Sequence, residues 1–206
     1  MNTKPQLVLD IGGVLLTNLS PRLWQQLSVE ANVPDHVIAA QFKQEVREAL
    51  WSGKMTEEDF WSWLCVTFPS IDERKARELL HANLVPLPAL SYLPAWSRVA
   101  DIHLLSNHRS EWVVPALAAV SEHIESITIS SSIGCCKPHP EMFEALASRI
   151  GSFDRILFVD DQDKNLKPAA RIGWDTLLAD ADGAWIGQVA RYLSGTPLNG
   201  ESRSAV

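Results

Sequence analysis

The sequence predicts an α/β protein, a doubly wound parallel sheet with a four-helix segment inserted after its first strand. Three observations lead there. Short runs rich in Leu, Val and Ile recur at 7–11, 101–106, 127–130, 155–160 and 175–178, each of a length that suits a buried strand. Single helices separate the later runs, which implies parallel strands joined by right-handed crossovers. Between the first and second runs, in contrast, helical patterns follow one another with no strand between them.

Taken in order, Leu7 to Ile11 is the first strand. It carries Asp10 near its carboxyl end, with Gly12 and Gly13 allowing a sharp turn and a close approach of backbone to a ligand. Ser20-Pro21 reads as a helix start, Ser as N-cap and Pro at the first helical position, ahead of Leu23, Trp24, Leu27 and Ala31. Pro34-Asp35 opens a second helix through Val37, Ile38, Phe42, Val46 and Leu50, and the stretch from Trp51 to Met55 interrupts it. Thr56-Glu57-Glu58-Asp59 is a capped start with acidic residues in the first turn. Asp72 to Leu80 supplies the fourth helix.

The alternation resumes near Pro86. A short helix from Leu90 to Trp96 precedes the second strand, and Glu111 to Val120 is a helix in which Pro115 forces a kink or restart. After the third strand, Pro140 to Ile150 is a helix stopped by Gly151. Leu166 to Ile172 is a helix with Gly173 as its C-cap, and Gly183 to Leu193 closes the fold. The expected organisation is an α/β core at 1–16 and 85–195, a helical cap at 17–84, and a polar tail at 196–206.

A formal charge of −7 argues against nucleic-acid or anionic-membrane partners. The N-terminal residues contain no apolar signal segment, and no run approaches the roughly 18 apolar residues of a membrane span, so a cytoplasmic protein is expected. The three cysteines, Cys65, Cys135 and Cys136, lack metal-ligand spacing and read as reduced thiols.

The carboxyl ends of the strands gather the polar residues. The first presents Asp10, the second Ser106-Asn107 and the fourth Asp160-Asp161, with Lys137-Pro138 in a turn between. Alone, Asp10 reads equally well as a hydrogen-bonded turn residue. Three carboxylates in one place, however, repel one another unless a cation lies among them, and a hard divalent ion such as Mg²⁺ suits oxygen ligands.

In this order, Asp10-Ile11-Gly12-Gly13-Val14, Leu105-Ser106-Asn107, Lys137-Pro138 and Asp160-Asp161 with Asn165 resemble the four motifs of the haloacid dehalogenase superfamily of phosphatases, over roughly residues 6–180. The helices after the first motif resemble the small cap of one of its subclasses. The resemblance implies that Asp10 is a nucleophile that forms an aspartyl-phosphate, that Ser106 and Asn107 hold the phosphoryl group and the site, and that Lys137 neutralises charge. It implies that Asp10, Asp161 and the Gly12 carbonyl bind Mg²⁺, with Asp160 acting through water.

One position departs from the pattern. Gly12 stands where the phosphatases usually carry an acid/base Asp, a loss that typically lowers rates about 10²–10⁴-fold. A slow or specialised phosphatase of a small phosphomonoester, such as a sugar phosphate, stays open beside a phospholigand- or partner-binding protein. A dehalogenase is the third reading, although dehalogenases usually lack the paired carboxylates kept here.

Other residues near these motifs are candidate substrate contacts. Trp51 and Lys54 lie in the helix break where a cap leans over the site, and His108 and Arg109 follow Ser106-Asn107. His108 is a candidate replacement for the missing acid. Against these, tryptophans at helical spacing suit a bundle core, Lys54 suits a solvated surface, His139 suits a helix start, and Asp163 suits solvent or an N-cap.

Overall fold

A computed structural model describes residues 4–151 and 155–196. The expected tail at 196–206 lies outside the described residues beyond Thr196.

Among the described residues, five parallel strands form one sheet: β1 (Gln6–Leu9), β2 (Asp101–Ser106), β3 (Ser126–Ile129), β4 (Ile156–Asp160) and β5 (Asp175–Leu178), in the order β3-β2-β1-β4-β5. The chain builds outward from β1 on one side and then crosses back to build β4 and β5 on the other. The place where the direction reverses, between β1 and β4, is where open α/β sheets bind ligands. Leu9 is level with Leu104 and Val159, so the next residue, Asp10, comes level with Asp160.

Side chains of β1 alternate between two apolar clusters. Val8 faces Leu105, Phe143, Leu146 and Phe158, whereas Leu7 and Leu9 face the opposite cluster. That second cluster runs without a break from the sheet through Trp112 into Phe60, Phe42 and Trp24, so the inserted helices share a core with one sheet face.

The insert consists of α1 (Arg22–Ala31), α2 (Asp35–Gln41), a π-helical turn (Phe42–Val46), α3 (Arg47–Trp51), α4 (Glu57–Thr67) and α5 (Glu73–Ala82). α2 to α3 is the single expected helix, carried through the π turn. The predicted capping at Thr56 is present in both directions: Asp59 N–H donates to Thr56 Oγ1, and Thr56 N–H donates to Asp59 Oδ2. Ser20 is not an N-cap. Pro21 holds that position without a side-chain bond, because the helix begins one residue later than expected.

Beyond the insert come α6 (Leu93–Trp96), α7 (Ser110–Ala116), α8 (Ser130–Ile133), α9 (Pro140–Ile150), α10 (Asp163–Arg171) and α11 (Ala184–Leu193). α7 gives way to a 3₁₀ segment just past Pro115. α10 starts three residues before the expected Leu166. Asp163 is therefore its first residue and not its N-cap, and pairs with Lys167 one turn on at 2.9 Å. Ile172 is the C-cap, with Gly173 following it at φ 87°. The single turn α8 has no counterpart in the expected elements.

Candidate active site

Asp10 follows the last residue of β1, and its backbone N–H still donates to Val159 O of β4 at 2.9 Å. The chain then turns: Ile11 N–H donates to Asp10 Oδ1 at 2.6 Å, which fixes the carboxylate over the strand end. Gly13 takes φ 75°, and a Cβ there would lie 2.3 Å from Asp161 Oδ2, so only glycine lets this turn pass so close to the carboxylate.

Lys137 joins the strand ends. Its fully buried Nζ lies 2.9 Å from Asp10 Oδ2 and 2.5 Å from Asp160 Oδ2, with the Phe158 ring centroid 5.4 Å away. The Lys137 turn is held by Asn107, whose Oδ1 accepts from Lys137 N–H at 2.6 Å and whose Nδ2 donates to Lys137 O at 2.8 Å. The second oxygen of Asp160 accepts from Gln162 N–H and Asn165 Nδ2 at 2.8 and 2.9 Å. Ser106, buried at the end of β2, lies close enough to Asp10 for its hydroxyl to pull the carboxyl's pKa down.

The charges do not balance. Oxygens of Asp10, Asp160 and Asp161 lie within 4.8 Å of one another. Lys137 meets two of these carboxylates, while among the described residues Asp161 accepts from the neutral amides of Asn18 at 3.0 Å and Gln162 at 3.3 Å. Burial raises the Asp10 carboxyl to about 7, Asp160 adds to the rise, and Lys137 and Ser106 offset only part of it. For Lys137, burial opposes the charge, yet Asp10 and Asp160 overcome it and hold the ammonium above its ordinary range. A cluster of three carboxylates and one ammonium, with Asp161 partly exposed, suits a hard divalent cation held by oxygen.

The neighbouring candidates take other parts. The His108 ring is neutral, because burial pushes it down to about 4, and its Nδ1 accepts from Arg109 N–H at 3.0 Å. Both features run against the part of replacement acid considered from the sequence. Arg109 is buried and bonded toward the insert and α7. Its Nη1 donates to Met55 O at 2.6 Å and its Nη2 to Glu111 at 2.8 Å, which ties the α3–α4 break to the sheet.

Trp51 packs 5.2 Å from His108 and 5.6 Å from Trp112 between ring centroids, and its carbonyl accepts from Ser130 Oγ at 2.6 Å. Ser130 in turn accepts from His108 N–H at 3.1 Å. Gly53, at φ 74°, lets the break rest on α8, where a Cβ would lie 2.0 Å from Ser131 O. Lys54 projects from the same break and is exposed.

His139 is the N-cap residue of α9, as expected of a helix start. It also comes near Cys135 and Glu141. His139 and Glu141 already satisfy each other as a hydrogen-bonded pair. Asn18, which also reaches this site, reads in the sequence as an ordinary polar residue before a helix and carries no signal of its own.

A family model described as haloacid dehalogenase-like hydrolase matches residues 6–173. No curated protein matches the sequence. An enzyme of this family from Bacteroides thetaiotaomicron is similar in structure at 20% identity, with a TM-score of 0.77 over 89% of this chain and 97% of that one. A structure of that enzyme in complex with magnesium and inorganic phosphate is similar at 20% identity and a TM-score of 0.74, over 86% and 95% of the two chains. The L-2-haloacid dehalogenase of Xanthobacter autotrophicus is also similar, at 18% identity and a TM-score of 0.59 over 94% and 84%. At these identities the likeness is one of fold.

Proposed function

Because the chain belongs to the haloacid dehalogenase-like hydrolases, we propose that it is a Mg²⁺-dependent phosphatase of a small soluble phosphomonoester, working through an aspartyl-phosphate on Asp10. The observation that carries the reading is the placement of Asp160 and Asp161 beside Asp10 and Lys137. Displacing halide from carbon needs no such surplus of carboxylates, whereas phosphoryl transfer is governed by positioning and charge neutralisation. The magnesium and phosphate complex of the Bacteroides enzyme supports the same reading.

In this account Asp10 attacks phosphorus and the leaving group departs. Water then attacks the phosphorus of the acyl phosphate, releasing phosphate and restoring the carboxylate. Lys137 keeps Asp10 paired as charge moves onto the transferring group, and Asn107 keeps Lys137 in place. Ser106 is placed to donate to the phosphoryl oxygens from beside Asp10. Mg²⁺, held by Asp10, Asp161 and the Gly12 carbonyl, would supply positive charge to the phosphoryl oxygens. Both oxygens of Asp160 are engaged by protein donors, so its part is to hold Lys137 and to act through water. The helices at 17–84 serve as a cap that excludes water and selects substrate.

Gly12 favours a second reading, a phospholigand-binding protein without turnover. Phosphate release from a panel of phosphorylated metabolites tests both, with EDTA and Asp10→Asn as controls. Release that disappears in both controls supports the phosphatase. Ligand-induced thermal stabilisation without release supports the binder.

A further inference from the structure

Gly12 and Gly13 leave a space beside the nucleophile's turn, and one side chain from the start of the insert fills it. A Cβ on Gly12 would lie 2.8 Å from Asn18 Oδ1, and a Cβ on Gly13 would lie 2.8 Å from Asn18 Nδ2. The amide of Asn18 thus spans both glycines, and its Nδ2 donates to Asp161 Oδ2 at 3.0 Å.

The backbone leading to Asn18 is held where the insert joins the core. Thr17 N–H donates to Val85 O at 2.9 Å, Val85 N–H donates to Thr17 Oγ1 at 3.0 Å, and Leu87 N–H donates to Leu15 O at 2.8 Å. This two-stranded neck delivers Asn18 to the same place whatever its own exposure.

We propose that Asn18 is a positioning residue for Asp161, and that it stands in the space a side chain at position 12 would otherwise take. A neutral amide suits that place. It engages one oxygen of Asp161 and leaves the other to a metal, with only the long 3.3 Å contact from Gln162 in competition. A carboxylate at position 12 would displace the amide and set a further negative charge against Asp161. Outer groups that orient a metal ligand typically contribute about 10- to 100-fold to affinity. Gly12 and Asn18 therefore form one unit: the glycine makes room, and the asparagine uses it.

The inference rests on Asp161 being a Mg²⁺ ligand, and its test reads metal binding directly rather than turnover. Mg²⁺ titration calorimetry on the full chain would compare wild type, Asn18→Ala, Gly12→Ala and the double variant. Asn18→Ala is expected to weaken Mg²⁺ about 10- to 100-fold, with an unchanged melting temperature in EDTA because Asn18 is exposed. Gly12→Ala is expected to weaken it similarly, since its Cβ pushes Asn18 away, and the double variant to bind no more weakly than Asn18→Ala alone. Unchanged affinity in Asn18→Ala, or losses that add in the double variant, would overturn the proposal while leaving the phosphatase reading in place. A wild-type chain without Mg²⁺ affinity would overturn both.

Discussion

Replacing Asp10 by Asn should abolish turnover and at the same time stabilise the metal-free protein. The Asp10 carboxyl is raised from 3.8 to about 7, chiefly by burial and further by Asp160, and Lys137 and Ser106 offset only part of that. The folded state therefore holds this proton more tightly than the unfolded chain does. The sign is the reverse of an ion-paired carboxylate: between about pH 4 and 7 this residue's contribution to stability falls as pH rises. With each pKa unit worth about 1.4 kcal/mol, the ionised residue costs about 4 kcal/mol above pH 7. Asp10→Asn keeps the shape and removes the ionisation. Urea denaturation in EDTA, followed by tryptophan fluorescence, should show the variant about 2–4 kcal/mol more stable at pH 8, with the gap shrinking by more than half at pH 5. Saturating Mg²⁺ should reverse the order by stabilising the wild type alone. A variant no more stable than wild type at pH 8, or a gap indifferent to pH, would refute the electrostatic account of the site.

Three further outcomes follow from the same geometry. With Gly12 in place of a general acid, turnover should depend steeply on the leaving group, acyl or 4-nitrophenyl phosphates exceeding alkyl phosphates by about 10²–10⁴-fold; equal rates across the series would show that another group donates the proton. Arg109→Ala removes the charge-assisted bond to Met55 O that anchors the α3–α4 break. It should cost about 2–4 kcal/mol in urea denaturation, and a loss under 1 kcal/mol would mean that the aromatic contacts of Trp51 suffice. Burial lowers the His108 pKa to about 4, so its contribution to stability is present above the unfolded value of 6.5 and lost as pH falls below it. His108→Phe should therefore lose about 2 kcal/mol less than wild type between pH 7.5 and pH 5, and parallel losses would contradict a neutral buried ring.

Much of the scaffold was legible because local chemistry and tertiary packing agree. The bounds of β2, α9 and β5 coincide with the expected ones, and Thr56-Glu57-Glu58-Asp59 caps α4 as its composition requires. β1 ends at Leu9, two residues early, because Ile11 N–H turns back to the Asp10 carboxylate instead of extending the ladder. The four polar motifs could be read because parallel strands present their carboxyl ends at one edge. Side-chain direction beyond those ends could not. His108 and Arg109 follow Ser106 in the chain, yet the ring is drawn between Trp51 and Trp112 and the guanidinium toward the Met55 carbonyl. Trp51 and Met55 lie more than 50 residues away in the chain, and no local pattern encodes them. Asn18 escaped notice for the same reason, since its role depends on Asp161, 143 residues on.

The most direct test of the central claim is turnover in H₂¹⁸O, with mass spectrometry of both the released phosphate and the peptide that carries Asp10. 4-Nitrophenyl phosphate and acetyl phosphate are the substrates, Mg²⁺ is present, and a 2-haloacid serves as the alternative. If water attacks phosphorus in an aspartyl-phosphate, each phosphate released gains one ¹⁸O and Asp10 stays unlabelled. Label in the Asp10 carboxylate together with halide release would instead report an ester on Asp10 opened at its carbonyl carbon, and would contradict the phosphatase assignment.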